Sequence, residues 1–364
     1  MAFSDFHGNS HVVTQLREML QRERLPQGII LAGPRGAGKY TLAQMMAKAM
    51  NCLTPPKSEL PDFCGKCSNC VRIAQADDLD ARFAEAVEAR EGLRDADKKD
   101  TRILIQTHPD VLVIPPDPPQ MLIKIGQVRH VAATIYYKPG DARERVYIFT
   151  DSAFMKEAAN SLLKVLEEPP EFATLFLLTT NVGELLPTIR SRCMTLTLGA
   201  LPEEEVEKDL AKGRPEWTAK QRALVARLSG GAIGCARTFD LAGYMEARKD
   251  ALTLLATAID AKDHSDLFRA TETYRAGAEG KQKTDALLRA AFLLLEDLLF
   301  LKSDTKDLLR NTDIAAELDR LARQVEFEWI SAAAQRLDEV QSGMRRNLLR
   351  SLSLDAFATS LERQ

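Results

Sequence analysis

Gly28-Ile29-Ile30-Leu31-Ala32-Gly33-Pro34-Arg35-Gly36-Ala37-Gly38-Lys39 decides the fold of this chain. A short apolar run, a glycine-rich turn closing on Gly38-Lys39 and a helical pattern from Lys39 to Met50 follow one another without a gap. That is the G-x-x-x-x-G-K phosphate loop in strand–loop–helix context. The glycines let backbone N–H groups turn toward phosphate oxygens, and Lys39 reaches the outer phosphates.

Working outward, Val111–Ile114, Val146–Phe149 and Leu175–Leu178 are uninterrupted apolar runs, as strands buried on both faces require. The first of them runs into the turn Pro115, Pro116, Pro118 and Pro119, and Asn160–Glu168 reads as a helix stopped by Pro169-Pro170. Strands alternating with helices predict an α/β fold with a parallel sheet. After about residue 200 the strand signals fade. Residues 200–244 read as a small helical unit and 245–364 as a longer helical array, with Leu287, Leu288, Phe292, Leu295, Leu298 and Leu299 at helical spacing.

The 364 residues predict two or three domains. Hydrophobic residues at 45% and charged residues at 28% exclude disorder. A formal net charge of -3 and only 6% aromatic residues argue against an autonomous nucleic-acid surface. No stretch of about 18 apolar residues runs unbroken, so no membrane span is expected. The most apolar segment, Ala286–Leu301, carries Arg289, Glu296 and Asp297 and reads as a core helix. MAFSDFHGNS has no basic, then apolar, leader pattern. The expectation is a cytoplasmic, reducing setting in which the six cysteines are thiols or metal ligands.

Four of those cysteines, Cys52, Cys64, Cys67 and Cys70, follow as C-x11-C-x2-C-x2-C. Four close thiolates suit a closed, tetrahedral, structural Zn²⁺ site. Cys193 and Cys235 stand alone and are expected as small packed residues. His7 and His11 have helical spacing but no acidic or thiol partner nearby, and His108 beside Pro109 reads as a packing residue.

The phosphate loop departs from its motif at the next position. Ser or Thr there sets a hydroxyl on Mg²⁺; this chain has Tyr40, whose phenol lies too far from the backbone. Thr41 follows, but one helical step turns it about 100° away. The strand Val146–Phe149 ends in Thr150-Asp151-Ser152, where a hydrolysing site needs an acidic pair. Whichever register applies, one carboxylate is missing, and Asp151 also suits a helix cap. Phosphate binding by Gly33, Gly36, Gly38, Lys39, Thr41 and Asp151 is expected, with weak hydrolysis. The stretch Asp77–Asp100 carries nine acidic against five basic residues and reads as an inserted, solvated helix or mobile loop.

Several motifs in this order resemble bacterial clamp-loader AAA+ subunits over residues 1 to about 200. They are Arg24-Leu25-Pro26, the phosphate loop, the four-cysteine module, His108-Pro109-Asp110, Ser161-Leu162-Leu163-Lys164-Val165-Leu166-Glu167-Glu168-Pro169-Pro170 and Ser191-Arg192-Cys193. The Thr150-Asp151 strand end is more similar to the delta-prime branch of that family than to its ATP-hydrolysing gamma/tau branch. The resemblance implies an AAA+ domain with a zinc module (1–199), a helical lid (200–244) and a helical collar that oligomerises (245–364). It implies that Arg192 acts as an arginine finger on a neighbour's ATP. It implies further that Thr179 or Thr180 senses the γ-phosphate, with Thr180 taken as the site residue, and that Arg237 of Gly234-Cys235-Ala236-Arg237 lies near nucleotide, although Cys235 replaces the family's serine. The implied cofactors are structural Zn²⁺ and ATP or ADP. The implied partners are delta and gamma/tau subunits in a hetero-pentamer, and through it the sliding clamp and primer–template DNA.

Overall fold

The computed structural model describes residues 2–260, 277–344 and 350–361. Two compact units divide the chain: Met1–Pro202 with Gly231–Cys235, and Glu203–Gly230 with Ala236–Gln364.

The first unit is a six-stranded sheet between two helical layers. Its strands are β1 (Gly28–Ala32), β2 (Ile105–His108), β3 (Val111–Ile114), β4 (Arg145–Phe149), β5 (Ala173–Thr179) and β6 (Met194–Thr197), in the order β2-β3-β4-β5-β1-β6. All neighbours are parallel except the β2–β3 pair. β1 is buried at every residue because helices cover both faces. Side chains alternate between two cores. Ile29 and Leu31 join Phe176 and Leu178 on one face; Ile30 and Ala32 join Leu175, Leu177 and Phe149 on the other.

The first face is covered by α1 (Ser10–Gln21), α2 (Lys39–Asn51), α3 (Ser68–Ala74) and α4 (Leu79–Glu91); α5 (Asp95–Asp100) follows α4 in sequence. The second is covered by α6 (Ile125–Thr134), α7 (Lys156–Glu167) and the short α8 (Pro187–Arg190). The α/β parallel-sheet class expected from the sequence is therefore what the chain adopts. Two strands escaped the sequence pattern. β2 carries only two buried residues, Ile105 and His108, and β6 (Met-Thr-Leu-Thr) buries Leu196 alone, so neither makes a continuous apolar run. The charged stretch 77–100 folds as α4 and α5.

His108-Pro109-Asp110 works as a brace. His108 is fully buried and its Nδ1 accepts from the Asp110 N–H at 3.1 Å. The Asp110 carboxylate accepts from the backbone N–H groups of Gly140, Asp141 and Ala142 at 2.9–3.2 Å. Asn51 Oδ1 takes the next two, Arg143 and Glu144. Five consecutive N–H groups are thereby satisfied just before β4, by two acceptors that are themselves buried.

The second unit is helical: Glu203–Gly213, Ala219–Leu228, Leu241–Asp260, Gly277–Lys302, Ala315–Gln324, Phe327–Met344 and Arg350–Ser360. Leu241–Asp260 is continuous across residue 244, where the sequence suggested a division. Ala286–Leu301 lies inside Gly277–Lys302, with Leu287, Leu288, Leu294, Leu295 and Leu298 buried. Asp297 is buried too, and accepts from the N–H groups of Arg310 and Asn311 and from Asn311 Nδ2. Parts of the expected collar, residues 261–276, 345–349 and 362–364, lie outside the described residues. Among the described residues no helix is long and apolar enough to cross a membrane.

Burial alone would raise the Asp110 carboxyl, but its three N–H donors and Arg145 outweigh it and hold the group below its ordinary value. A depressed carboxylate contributes stability above its unfolded value and loses it as pH falls through the folded one. Asp110→Asn is therefore expected to cost about 1–3 kcal/mol at pH 7. It should also flatten the acid limb of stability below about pH 4; denaturation midpoints measured from pH 2 to 7 check both.

Candidate functional site

Parallel strands bring their carboxyl ends to one edge of the sheet, and three of those ends meet there. The register pairs Ala32 with Thr179 of β5, so the phosphate loop after β1 stands beside Thr179-Thr180. β4 lies on the other side of β5 and delivers Thr150-Asp151 to the same edge. Between them is a cavity of about 550 Å³ lined by Gly36, Gly38, Lys39, Thr41, Asp151 and Thr180, among others.

The loop's glycines are required by geometry. Gly33, Gly36 and Gly38 have φ of +143°, +80° and +87°. A side chain on Gly33 would meet the Leu198 carbonyl at 2.4 Å, and one on Gly36 would meet Cys235 at 2.6 Å. Cys235 packs on the loop, donating its thiol to the Arg35 carbonyl at 3.3 Å, while the Gly234 N–H donates to the Gly36 carbonyl at 2.9 Å. Lys39 Nζ donates to the carbonyls of Gly33 and Pro34 at 2.6 and 2.7 Å. Burial lowers its pKa; Cys235 and Asp151 oppose the shift. The residues fit a polyphosphate: a glycine loop in left-handed conformation, a half-buried ammonium, and room.

The metal half of the site is weaker. The Tyr40 phenol points away from the loop: it donates to the Ala76 carbonyl and accepts from Gln44 Nε2 at 2.8 Å. Thr41 is exposed and lines the cavity despite its turn along the helix. Asp151 is exposed, and its Oδ1 accepts from the Ala153 N–H at 2.9 Å. That is an Asx turn; α7 starts only at Lys156 with Met155 as its N-cap, so Asp151 caps no helix. Of the two candidate sensors, Thr179 is buried and spent, with Ser152 Oγ 2.8 Å away and the Asn181 carbonyl accepting at 2.8 Å. Ser152 in turn donates to Glu184 at 3.0 Å. Thr180 is exposed on the cavity.

Arg192 lies at the opposite end of the sheet. Its carbonyl borders Gly28 at the start of β1, and β6 begins only at Met194. β1 separates it from the phosphate loop by about 16 Å. The guanidinium is partly exposed and pairs with Glu167 at 2.9 Å, with the Thr188 carbonyl also accepting at 2.9 Å. Arg237, in the second unit, makes a two-pronged pair with Asp209 at 2.8 and 2.6 Å. Glu167 belongs to a motif visible in the sequence; nothing in the sequence marked Asp209. Sequence reasoning also missed Leu79, Asp80 and Phe83 of α4, which line the cavity from a segment distant in the chain.

The four cysteines converge. Cys52 ends α2, Cys67 caps α3 and Cys70 lies in its first turn, while Cys64 comes from the intervening loop. All four Sγ atoms lie within 4.8 Å of one another; tetrahedral zinc with bonds of about 2.3 Å needs about 3.8 Å. Backbone N–H groups of Cys64, Leu53, Lys66 and Cys67 donate to the sulfurs at 3.3–3.5 Å. The Thr54 hydroxyl donates to Cys64 and, with two N–H groups, pulls its thiol down to about 6. N–H donors around convergent thiols stabilise thiolates, so the set fits zinc. Cys193 is largely buried and its thiol is pushed up to about 12 by that burial.

The family model described as DNA polymerase III, delta subunit, matches residues 8–202. The DNA polymerase III subunit tau/gamma of Haemophilus influenzae is 30% identical over 215 residues, 57% of this chain and 25% of that protein. The DNA polymerase III subunit gamma of Buchnera aphidicola subsp. Schizaphis graminum is 27% identical over 302 residues, 81% of this chain and 68% of that one. The chain thus spans only about a quarter of the length of the first of these relatives. A solved Thermotoga maritima gamma subunit-related protein of DNA polymerase III is 18% identical, with 96% of this chain and 98% of that one covered at a TM-score of 0.37.

Lys39→Ala should weaken binding of a fluorescent ATP analogue about 10- to 100-fold, the worth of a charge-assisted hydrogen bond; equilibrium titration of the purified chain checks it. Elemental analysis should find about one zinc per chain, and Cys67→Ser should lower both zinc content and melting temperature.

Proposed function

The chain belongs to the DNA polymerase III, delta subunit, family, and on that premise we propose that it is a clamp-loader subunit of the delta-prime type. It is a largely non-hydrolysing stator in a hetero-pentamer with delta and gamma/tau subunits. Through that ring it takes part in opening the sliding clamp and placing it at primer–template DNA, in the cytoplasm. Its chemical contribution is Arg192, lent as a finger to the ATP of an adjacent subunit.

The observation that carries this is the separation of charge along β1. Arg192 stands at the N-terminal edge of the sheet and cannot serve this chain's own phosphate loop at the other edge. A guanidinium held at a surface by one exposed carboxylate and one carbonyl can exchange partners, because exposed ion pairs are worth only about 0–1 kcal/mol. Glu167 keeps it oriented until a γ-phosphate replaces that carboxylate. On transferring phosphoryl oxygens such an arginine is worth about 10³–10⁵ in rate. This chain's own cavity supports binding over turnover: Lys39 and the loop N–H groups hold phosphates, Thr180 lies beside them, and Asp151 is the single carboxylate at the β4 end. Zinc, when bound, cross-links the end of α2 to α3 and takes no part in chemistry.

A second possibility, an ATP-hydrolysing subunit of the gamma/tau kind, draws support from Thr41 and Asp151 on the one cavity. Steady-state turnover separates the two. The isolated chain should hydrolyse ATP no faster than background; brisk turnover alone would discard the stator. Arg192→Ala should leave assembly with its partners intact and lower ATP turnover at the one site it faces by about 10³- to 10⁵-fold, the range expected for a finger. Unchanged turnover would remove Arg192 from that role.

A further inference from the structure

Tyr40 abandons the metal but is not idle. Its hydroxyl donates to the Ala76 carbonyl, at the point where the chain leaves α3 for the charged segment. The next residue, Asp77, takes Lys48 Nζ of α2 at 2.7 Å, and Lys48 is almost wholly buried. Asp78 Oδ1 then accepts from the Ala81 N–H and starts α4. At the far end, buried Arg90 pairs with fully buried Asp117, which Lys124 also reaches at 3.3 Å. Leu79, Phe83 and Ala86, one face of the helix, pack on the core that α2 shares. α4 is therefore docked at both ends by ion pairs with a buried partner, whose disruption is strongly unfavourable.

The docked helix borders the phosphate cavity. Leu79, Asp80 and Phe83 line it, together with Pro115, Pro116 and Met121. Tyr40 and Gly38 line the same space, so the latch and the loop border one cavity. The departure from the motif and the charged segment are thus one feature. The side chain that stands where the motif puts a metal-binding hydroxyl ties down the connection that leads into the helix flanking the cavity.

We infer that α4, latched by Tyr40, is a fixed gate on this chain's own phosphate cavity that slows the entry and departure of a nucleoside triphosphate. Nucleotide held there exchanges slowly, whatever Arg192 does elsewhere. Tyr40 is a positioning residue: it acts through α4 and touches no reacting atom.

The test uses the full-length chain and two measurements, hydrogen exchange of residues 79–91 and release of mant-ATP chased with unlabelled ATP. Tyr40→Phe removes the hydroxyl and keeps the ring. It should speed exchange in 79–91 about fivefold, the effect of one lost hydrogen bond on local opening. It should speed mant-ATP release by a similar factor. Phe83→Ala thins the gate without touching the latch, and should speed release while leaving folding, judged by circular dichroism, intact. If Tyr40→Phe loosens α4 but release is unchanged, the helix is only a brace and the proposal is overturned. Wild-type release as fast as that of Phe83→Ala, or no mant-ATP binding by the wild type, overturns it equally. None of these measurements depends on ATP turnover in the assembled complex, so the stator can fail while the gate stands, and the reverse.

Discussion

Backbone hydrogen bonds clasp β1 between β5 and β6, and the positions of the phosphate loop, Thr180 and Arg192 follow from them. The strand is buried throughout, so each of its peptide groups must find a partner in the sheet. Parallel pairing then sorts the chemistry by edge. The phosphate loop, Thr150-Asp151 and Thr180 gather where the strands end. Arg192 is left where they begin, beside Gly28, which has no side chain to push Cys193 away. A one-residue slip of β1 would turn Ile29 and Leu31 onto the other core and rotate the loop away from Thr180.

Strength of pairing distinguishes the charges that hold the structure from those available for work. Arg90–Asp117 and Lys48–Asp77 each involve a nearly buried ion, so losing a partner strands a desolvated charge. Arg237 meets Asp209 on two prongs, with the carboxylate almost wholly covered. Arg192–Glu167 has neither advantage: one contact between two side chains that water reaches. By that measure Arg192 is more easily redirected than Arg90, and Arg237 remains with its carboxylate unless a stronger anion competes.

The same contrast separates the two halves of the nucleotide cavity. The phosphate-loop half is built from backbone and a half-buried ammonium, which fold geometry alone keeps in place. Its metal-holding half depends on short side chains at two positions, and at one of them Tyr40 is spent instead on the Ala76 carbonyl, in the connection between α3 and α4. Losing the second half leaves the first intact, because the loop glycines answer to Leu198 and Cys235 and not to a cation.

Local chemistry was legible wherever neighbouring residues supply the reason. The phosphate loop, the buried strands β1, β3, β4 and β5, and the four-cysteine module all announce themselves by spacing, because a turn, a run of apolar residues or a knuckle is a short-range object. β2 and β6 did not, since edge strands bury too few side chains to leave a pattern. The charged segment did not either. Its polar composition suggested a solvated or mobile stretch, yet Leu79, Phe83 and Ala86 suffice to dock one face, and its charges find buried partners far along the chain. Thr179 and Thr180 were interchangeable as letters; only the sheet, by burying one and exposing the other, chose between them. Sequence by itself determined that this chain carries a phosphate-loop motif and lacks the hydroxyl residue that should follow its lysine. Tertiary structure alone decided which edge each charge occupies and what Tyr40 holds, because those are contacts between residues that only folding brings together.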